Sequence, residues 1–259
     1  MAEGAINKAL RVLRVVSENS PATLTTLSGL TSLTPPTLLR TLRILADEGY
    51  VEQDGDRKWR PTRLLWRLGC AVKDSVGFGE LTQRILRDLV LEIDETVVFA
   101  AYEEGRLTYA AQAEPSKPVR AHVPLGGNYA ALDTTTGHAI MAWLAPQQIE
   151  QILSTQGKKG FDFSARRGLV AELRRVASRG FASGTGDRWP GVWGAAAPVF
   201  DHSAAPIGAI GVSIPSKKVP AQAHHAEQAV VDAAQRLTIQ LGGPSRPPAP
   251  KLPDPRTGN

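Results

Sequence analysis

Cysteine is nearly absent: Cys70 stands alone in 259 residues, so no disulfide can form within the chain. The five histidines, His122, His138, His202, His224 and His225, share no ligand spacing with it, and a structural metal is not expected. Long apolar runs are missing as well. Ala139 to Ala145 is far too short to cross a bilayer, and Met-Ala-Glu-Gly-Ala lacks the basic-then-apolar order of a secretion signal. A cytoplasmic protein with no membrane partner is the expectation. Catalytic signatures are also lacking. Ser183 lies in Phe-Ala-Ser-Gly rather than in a Gly-x-Ser-x-Gly elbow, and Ser213 has no assignable base. The glycines of Ser183-Gly184-Thr185-Gly186 lead into no Lys-Ser/Thr phosphate helix. No catalytic residue and no cofactor are expected, and a small-molecule-processing enzyme is the outlying alternative.

The net charge of +5 is modest, but it is unevenly placed. Residues 1–75 carry eleven basic side chains against eight acidic ones, residues 76–241 balance at sixteen of each, and the stretch from Gly242 adds three basic against one acidic. A polyanion partner fits an excess outside the central region; an ordinary solvated surface fits it too.

What is present is concentrated between residues 34 and 61. Thr34 is placed to accept a hydrogen bond from a first-turn N–H, and Pro35 stands where a missing N–H costs nothing, so a helix start is specified twice. Gly49 supplies its stop. Leu38, Leu42 and Leu45 share one side, which turns Pro36, Thr37, Arg40 and Arg43 away from the core. Tyr50 to Gln53 and Lys58 to Arg60 then flank Asp54-Gly55-Asp56, a hairpin signal in which the glycine is expected to take the turn angles. Arg57, Lys58 and Arg60 are basic groups at or beside its tip. Upstream, Ile6, Leu10, Leu13 and Val16 form an apolar stripe with Ala9. Thr23 caps a second helix whose Leu24, Leu27 and Leu30 face the same core, and Thr31-Ser32-Leu33 connects to the third. A small helical core presenting a helix and a basic hairpin together is a winged helix-turn-helix.

Residues 63–93 read as two helical stretches broken near Gly77 and Gly79. From Glu95 the period shortens to strands at Thr96–Ala100 and Leu107–Ala110 around a Glu103-Glu104-Gly105 turn. Helical patterns return over 137–144, 146–153 and 165–179; strands follow at 195–200 and 207–214, and a last helix spans 221–241. The order, helix, hairpin, strand, helices, two strands, helix, gives an α+β fold with helices packed on an antiparallel sheet. The boundaries expected are 1–62 for the winged helix-turn-helix, 63–79 for a linker helix, 80–241 for the α+β domain and 242–259 for a disordered, proline-rich tail.

This order and several local strings resemble the IclR family of bacterial transcriptional regulators, which join a winged helix to a GAF-like effector-binding domain. The resemblance runs from about Ala5 to Leu241. It rests on Ala9-Leu10-Arg11-Val12-Leu13, Thr37-Leu38-Leu39-Arg40-Thr41-Leu42, Glu48-Gly49-Tyr50-Val51-Glu52, Thr136-Gly137-His138-Ala139, Gly180-Phe181-Ala182, Pro190-Gly191-Val192 leading to Ala196-Ala197-Pro198-Val199, and Gly208-Ala209-Ile210-Gly211-Val212-Ser213. It implies a homodimer or tetramer on a roughly palindromic double-stranded DNA operator, contacted by Thr34, Pro36, Thr37, Arg40 and Arg43 of the recognition helix and Arg57, Lys58 and Arg60 of the wing. It also implies a small organic effector.

The departures from the family bear on that effector. After Gly180 the family offers an acid or serine, an acid and a small polar residue where this chain has Gly184, Asp187 and Gly194, and its paired hydroxyls on the last strand match Gly211 and Ser213. Fewer polar groups disfavour a short keto acid, because a buried carboxylate without partners is costly. Glycine in place of side chains is read as added room, with Trp189 and Trp193 as apolar walls. Thr135, Thr136 and Gly137 precede a helix whose amino-terminal N–H groups suit an acidic or oxygen-rich group on the effector. An effector bulkier or more apolar than a short keto acid is therefore expected. The alternative is a large domain that only oligomerises.

Overall fold

The computed structural model describes residues 4–75, 79–156, 163–185, 189–250 and 252. Contacts divide the chain into two units, 1–76 and 77–259.

The first unit holds α1 (Ala5–Glu18), α2 (Leu24–Thr31), α3 (Pro35–Asp47), β1 (Val51–Gln53), β2 (Trp59–Pro61) and α4 (Arg63–Ser75). Its core is Val12, Val16, Ala22, Leu27, Leu38, Leu42, Leu45, Val51 and Trp59. Thr23 caps α2 by accepting from the Thr26 N–H at 3.2 Å. Three sequence expectations are corrected. Leu30 is half exposed rather than core. Ile6 and Leu10 are 76% and 60% exposed, because the buried stripe of α1 centres on Val12 and Val16 and leaves them about 100° and about 140° round the helix. Thr34 caps no N–H; its hydroxyl donates to that of Thr37 at 2.9 Å.

The second unit holds α5 (Glu80–Ile93), β3 (Thr96–Glu103), β4 (Arg106–Ala113), β5 (Asn128–Ala130), α6 (Thr135–Met141), α7 (Pro146–Gln156), α8 (Phe163–Arg179), β6 (Ala182–Thr185), β7 (Val192–Phe200), β8 (Pro206–Pro215) and α9 (Val219–Gln240). The strands form one antiparallel sheet in the order β5-β4-β3-β8-β7-β6. Side chains alternate between its faces, as the pleat requires. Val98, Leu107, Tyr109, Ala196 and Ala209 meet residues of α6, α7 and α8 on one face. Val97, Phe99, Ala195, Ala197 and Ile210 meet α5 and α9 on the other. The short β6, with its Ser-Gly-Thr sequence, carries little hydrophobic patterning and was not legible as a strand.

The stretch from Gly242 forms neither helix nor strand up to Pro250, as its prolines dictate, yet it is not detached. Gln235 Nε2 donates to the Pro244 carbonyl at 3.1 Å, the Trp143 indole donates to the Pro248 carbonyl at 2.9 Å, and Leu252 packs on the α6–α8 side. The expectation of a free tail fails over these residues because each prolyl carbonyl remains an acceptor. Trp143→Phe keeps a ring against Phe200, 5.7 Å away, but removes the donor. It is expected to cost about 1 kcal/mol, read as a small fall in Tm; an unchanged Tm would mean that the contact adds nothing to stability.

Candidate functional site

The first candidate surface is the outer face of α3 with the hairpin that follows. Core packing of Leu38, Leu42 and Leu45 leaves Thr34, Pro36, Thr37, Arg40 and Arg43 exposed. Among the described residues no hydrogen bond or ion pair holds the Arg40 or Arg43 guanidinium, so both are available to an incoming anion or base edge. The hairpin pairs Gln53 with Trp59 and Val51 with Pro61. Its turn departs from expectation: Arg57, not Gly55, takes the left-handed backbone, at φ 59°. Asp54 makes this possible, because its carboxylate accepts from the N–H groups of Asp56 at 3.0 Å and Lys58 at 2.9 Å. The Arg57 side chain projects into solvent from this tip. Lys58 stands 4.0 Å from Asp56, and Arg60 donates to Glu52 at 2.8 Å. Arg60 is thus already partnered by an acid on the neighbouring strand.

The second candidate lies where the amino end of α6 meets the sheet. Thr134, one residue earlier than the sequence reading placed the site, caps the helix by accepting from the Gly137 N–H at 3.0 Å. The Thr136 hydroxyl lies 3.3 Å from that of Thr134 and 3.4 Å from the Tyr109 hydroxyl. Thr135, Thr136, Trp189, Gly194, Gly211 and Ser213 line a pocket together with Val98, Tyr109, Asp133 and Thr134. Its free volume is about 40 Å³, room for a water or two. A neighbouring recess of about 280 Å³ shares Asp133, Thr134 and Thr135 and adds Leu132, His138, Glu172, Ser183, Gly184 and Thr185. His138 Nε2 lies 3.1 Å from the Leu132 carbonyl.

Several sequence-stated members take other places. Trp193 is buried on the opposite face, among residues of α5 and α9. Adjacent strand residues point to opposite faces, so Trp193 and Gly194 cannot both line one pocket. Nor do Gly194 and Gly211 leave room: a β-carbon at Gly211 would stand 2.7 Å from the Thr136 γ-methyl, and one at Gly194 would stand 3.3 Å from the Thr135 hydroxyl. These glycines let α6 sit close on the sheet. Of the four glycines assigned to the site, Gly137, Gly184, Gly194 and Gly211, only Gly184 has open space where a β-carbon would stand. Gly137 lines neither cavity and backs onto Ala131. Asp187 lies outside the described residues. Sequence reasoning missed Tyr109 and Tyr129, whose rings lie 6.1 and 5.2 Å from that of Trp189. An aromatic on an alternating strand reads as ordinary core, and only the register reveals its neighbours.

Among the described residues there is no cluster able to hold a metal ion and no helix long and apolar enough to cross a membrane.

Two family models match the chain: the bacterial transcriptional regulator IclR C-terminal domain over residues 70–239 and the IclR helix-turn-helix domain over residues 5–55. Among curated proteins, the HTH-type transcriptional regulator BhcR of Paracoccus denitrificans is 28% identical over 242 residues, 92% of this chain and 87% of that protein. The transcriptional repressor IclR of Escherichia coli is 24% identical, over 92% of this chain and 90% of its own length. Among solved structures, an IclR homolog from Microbacterium hydrocarbonoxydans complexed with 4-hydroxybenzoate shares the fold with a TM-score of 0.75, at 16% identity, covering 92% of this chain and 99% of that one.

Proposed function

The chain belongs to the IclR family of bacterial transcriptional regulators, and from that premise we propose that it binds an operator through the outer face of α3 and the wing, under the control of a small organic effector held beside α6. It is a regulator and not an enzyme. The single observation that carries the DNA reading is the pair Arg40 and Arg43, without a partner among the described residues, on the exposed face of a helix whose other face is locked by three leucines. An arginine there takes the O6 and N7 acceptors of guanine or grips phosphate. Arg57 and Lys58 suit the flanking backbone. Two apolar exposures in the same unit, Ile6 and Leu10 on α1 and Trp66 and Leu68 on α4, favour a homodimer or a tetramer on a roughly palindromic site.

For the effector, support comes from the Trp189 and Tyr109 rings, stacked at 26°, beside the hydroxyls of Thr134, Thr135, Thr136 and Ser213. A flat, aromatic effector with an oxygen substituent suits such walls. It enters from the larger recess, or displaces Trp189 from Tyr109, because 40 Å³ holds no ring. Binding then shifts the placement of the paired winged helices through residues 63–93, and a coupling of about 1–3 kcal/mol suffices. Trp189 makes this testable: 4-hydroxybenzoate and related aromatic acids are expected to change tryptophan emission saturably, and the change should vanish in Trp189→Phe. Saturation by pyruvate or glyoxylate with no response to aromatics would contradict the effector class.

The small free volume and the occupied glycine positions favour a second reading, in which the large domain only oligomerises. A screen of organic acids and aromatics by thermal shift separates the two, since any ligand of the native state raises Tm.

A further inference from the structure

The end of α3 that leads into the groove is poor in hydrogen-bond donors. Pro35 and Pro36 occupy its first two positions, both exposed, and neither has an N–H. The anion-binding amides that a helix start ordinarily offers are missing at both. Thr34 spends its hydroxyl proton on the Thr37 hydroxyl at 2.9 Å, and Thr41 donates to the Thr37 carbonyl at 3.0 Å. The Thr34 hydroxyl proton is thus committed within the tip, whose exposed groups are the Pro36 ring and Thr37, with its γ-methyl beside a hydroxyl that accepts from Thr34. Arg40 follows four residues after Pro36 and three after Thr37, on the same exposed face. Four residues of helix rise about 6 Å, or roughly two base steps.

Within the major groove, the apolar feature of the base pairs is the thymine 5-methyl group. We propose that Pro36 and the Thr37 γ-methyl read a thymine methyl beside the guanine taken by Arg40, so that each operator half-site carries a thymine within about two base pairs of that guanine. This rests on the reading of α3 as the helix that enters the major groove.

The test uses the full-length protein and duplexes it selects from a random pool. The guanine that Arg40 contacts is the one whose replacement by 7-deazaguanine weakens the wild type but not Arg40→Ala. Each thymine of the selected duplex is then replaced singly by deoxyuridine, which removes only the methyl group. One thymine within two base pairs of that guanine is expected to show a loss of about fourfold, the worth of burying one methyl. A Pro36→Ser, Thr37→Ser variant retains the Thr34 hydroxyl contact and is expected to bind the thymine and deoxyuridine duplexes equally. Uniform tolerance of deoxyuridine by the wild type overturns the proposal, as does a penalty that persists in the variant. The wild-type series stands by itself should the variant fold poorly. A pool that yields no preferred sequence overturns the major-groove reading instead, and the inference falls with it.

Discussion

Arg40→Ala is expected to remove sequence-specific DNA binding while leaving thermal unfolding unchanged. The guanidinium has no partner among the described residues and its side chain lies on the exposed face, so its loss leaves no buried group unsatisfied; surface changes of this kind usually stay within about 0.5 kcal/mol of stability. A bidentate contact to guanine is worth about 1–3 kcal/mol, or roughly 5- to 150-fold in affinity per half-site. On a two-fold operator the loss applies twice, enough to bring the selected duplex near the non-specific level. Arg43→Ala, one step away on the same face, is expected to cost less and to weaken all duplexes alike if it grips phosphate. Gel-shift or anisotropy titrations of the two variants, with Tm measured beside them, separate base reading from simple attraction. Equal weakening of specific and scrambled duplexes by Arg40→Ala would remove its assigned role.

Gly137→Ala should do the reverse, damaging the second unit without touching the DNA-facing surface. A β-carbon at Gly137 would stand 1.9 Å from the Ala131 carbonyl oxygen, and 2.5 and 2.6 Å from the Ala131 carbonyl carbon and Cα. All three are backbone atoms and cannot swing aside as a side chain would. Either α6 lifts from the turn at Ala131–Asp133, taking Thr134, Thr135 and Thr136 with it, or that turn is pushed out. Overpacking against rigid backbone is expected to cost about 3 kcal/mol or more. Gly194→Ala supplies the contrast, with its nearest neighbours at 3.3 Å and a milder expected loss. A Tm for Gly137→Ala within a degree or two of wild type would show that α6 does not depend on this close approach.

The first unit was legible in the sequence because its signals are local. A leucine repeat at helical spacing, prolines at a helix start and a turn between short strands each act within a few residues. What stayed hidden there depends on competition among near neighbours: Asp54 stabilises the turn so that Arg57 rather than Gly55 bends, and the Thr34 hydroxyl donates to that of Thr37 instead of capping a backbone N–H. The second unit was legible in its order and not in its site. A glycine in a strand marks either empty space or the close approach of another element, and sequence alone does not say which. At Gly211 and Gly194 the approaching element is α6; at Gly184 the space is open. Trp189, in the turn before β7, lines the pocket, whereas strand parity turns Trp193 away from the Gly194 face and buries it under α5 and α9. Tyr109 reaches Thr136 only through a register that brings β4 beside β3 and α6 onto β8.

The proposed regulation rests on sequence-specific DNA binding through α3. Its most direct test is a fluorescence anisotropy titration of the purified protein against DNA from upstream of its own gene, beside a scrambled duplex, at two salt concentrations. Tighter binding to the native duplex at both salts, lost in Arg40→Ala, is the expected outcome. Equal and steeply salt-dependent binding to both duplexes would contradict it, leaving only the attraction of phosphate to the basic side chains of the first unit.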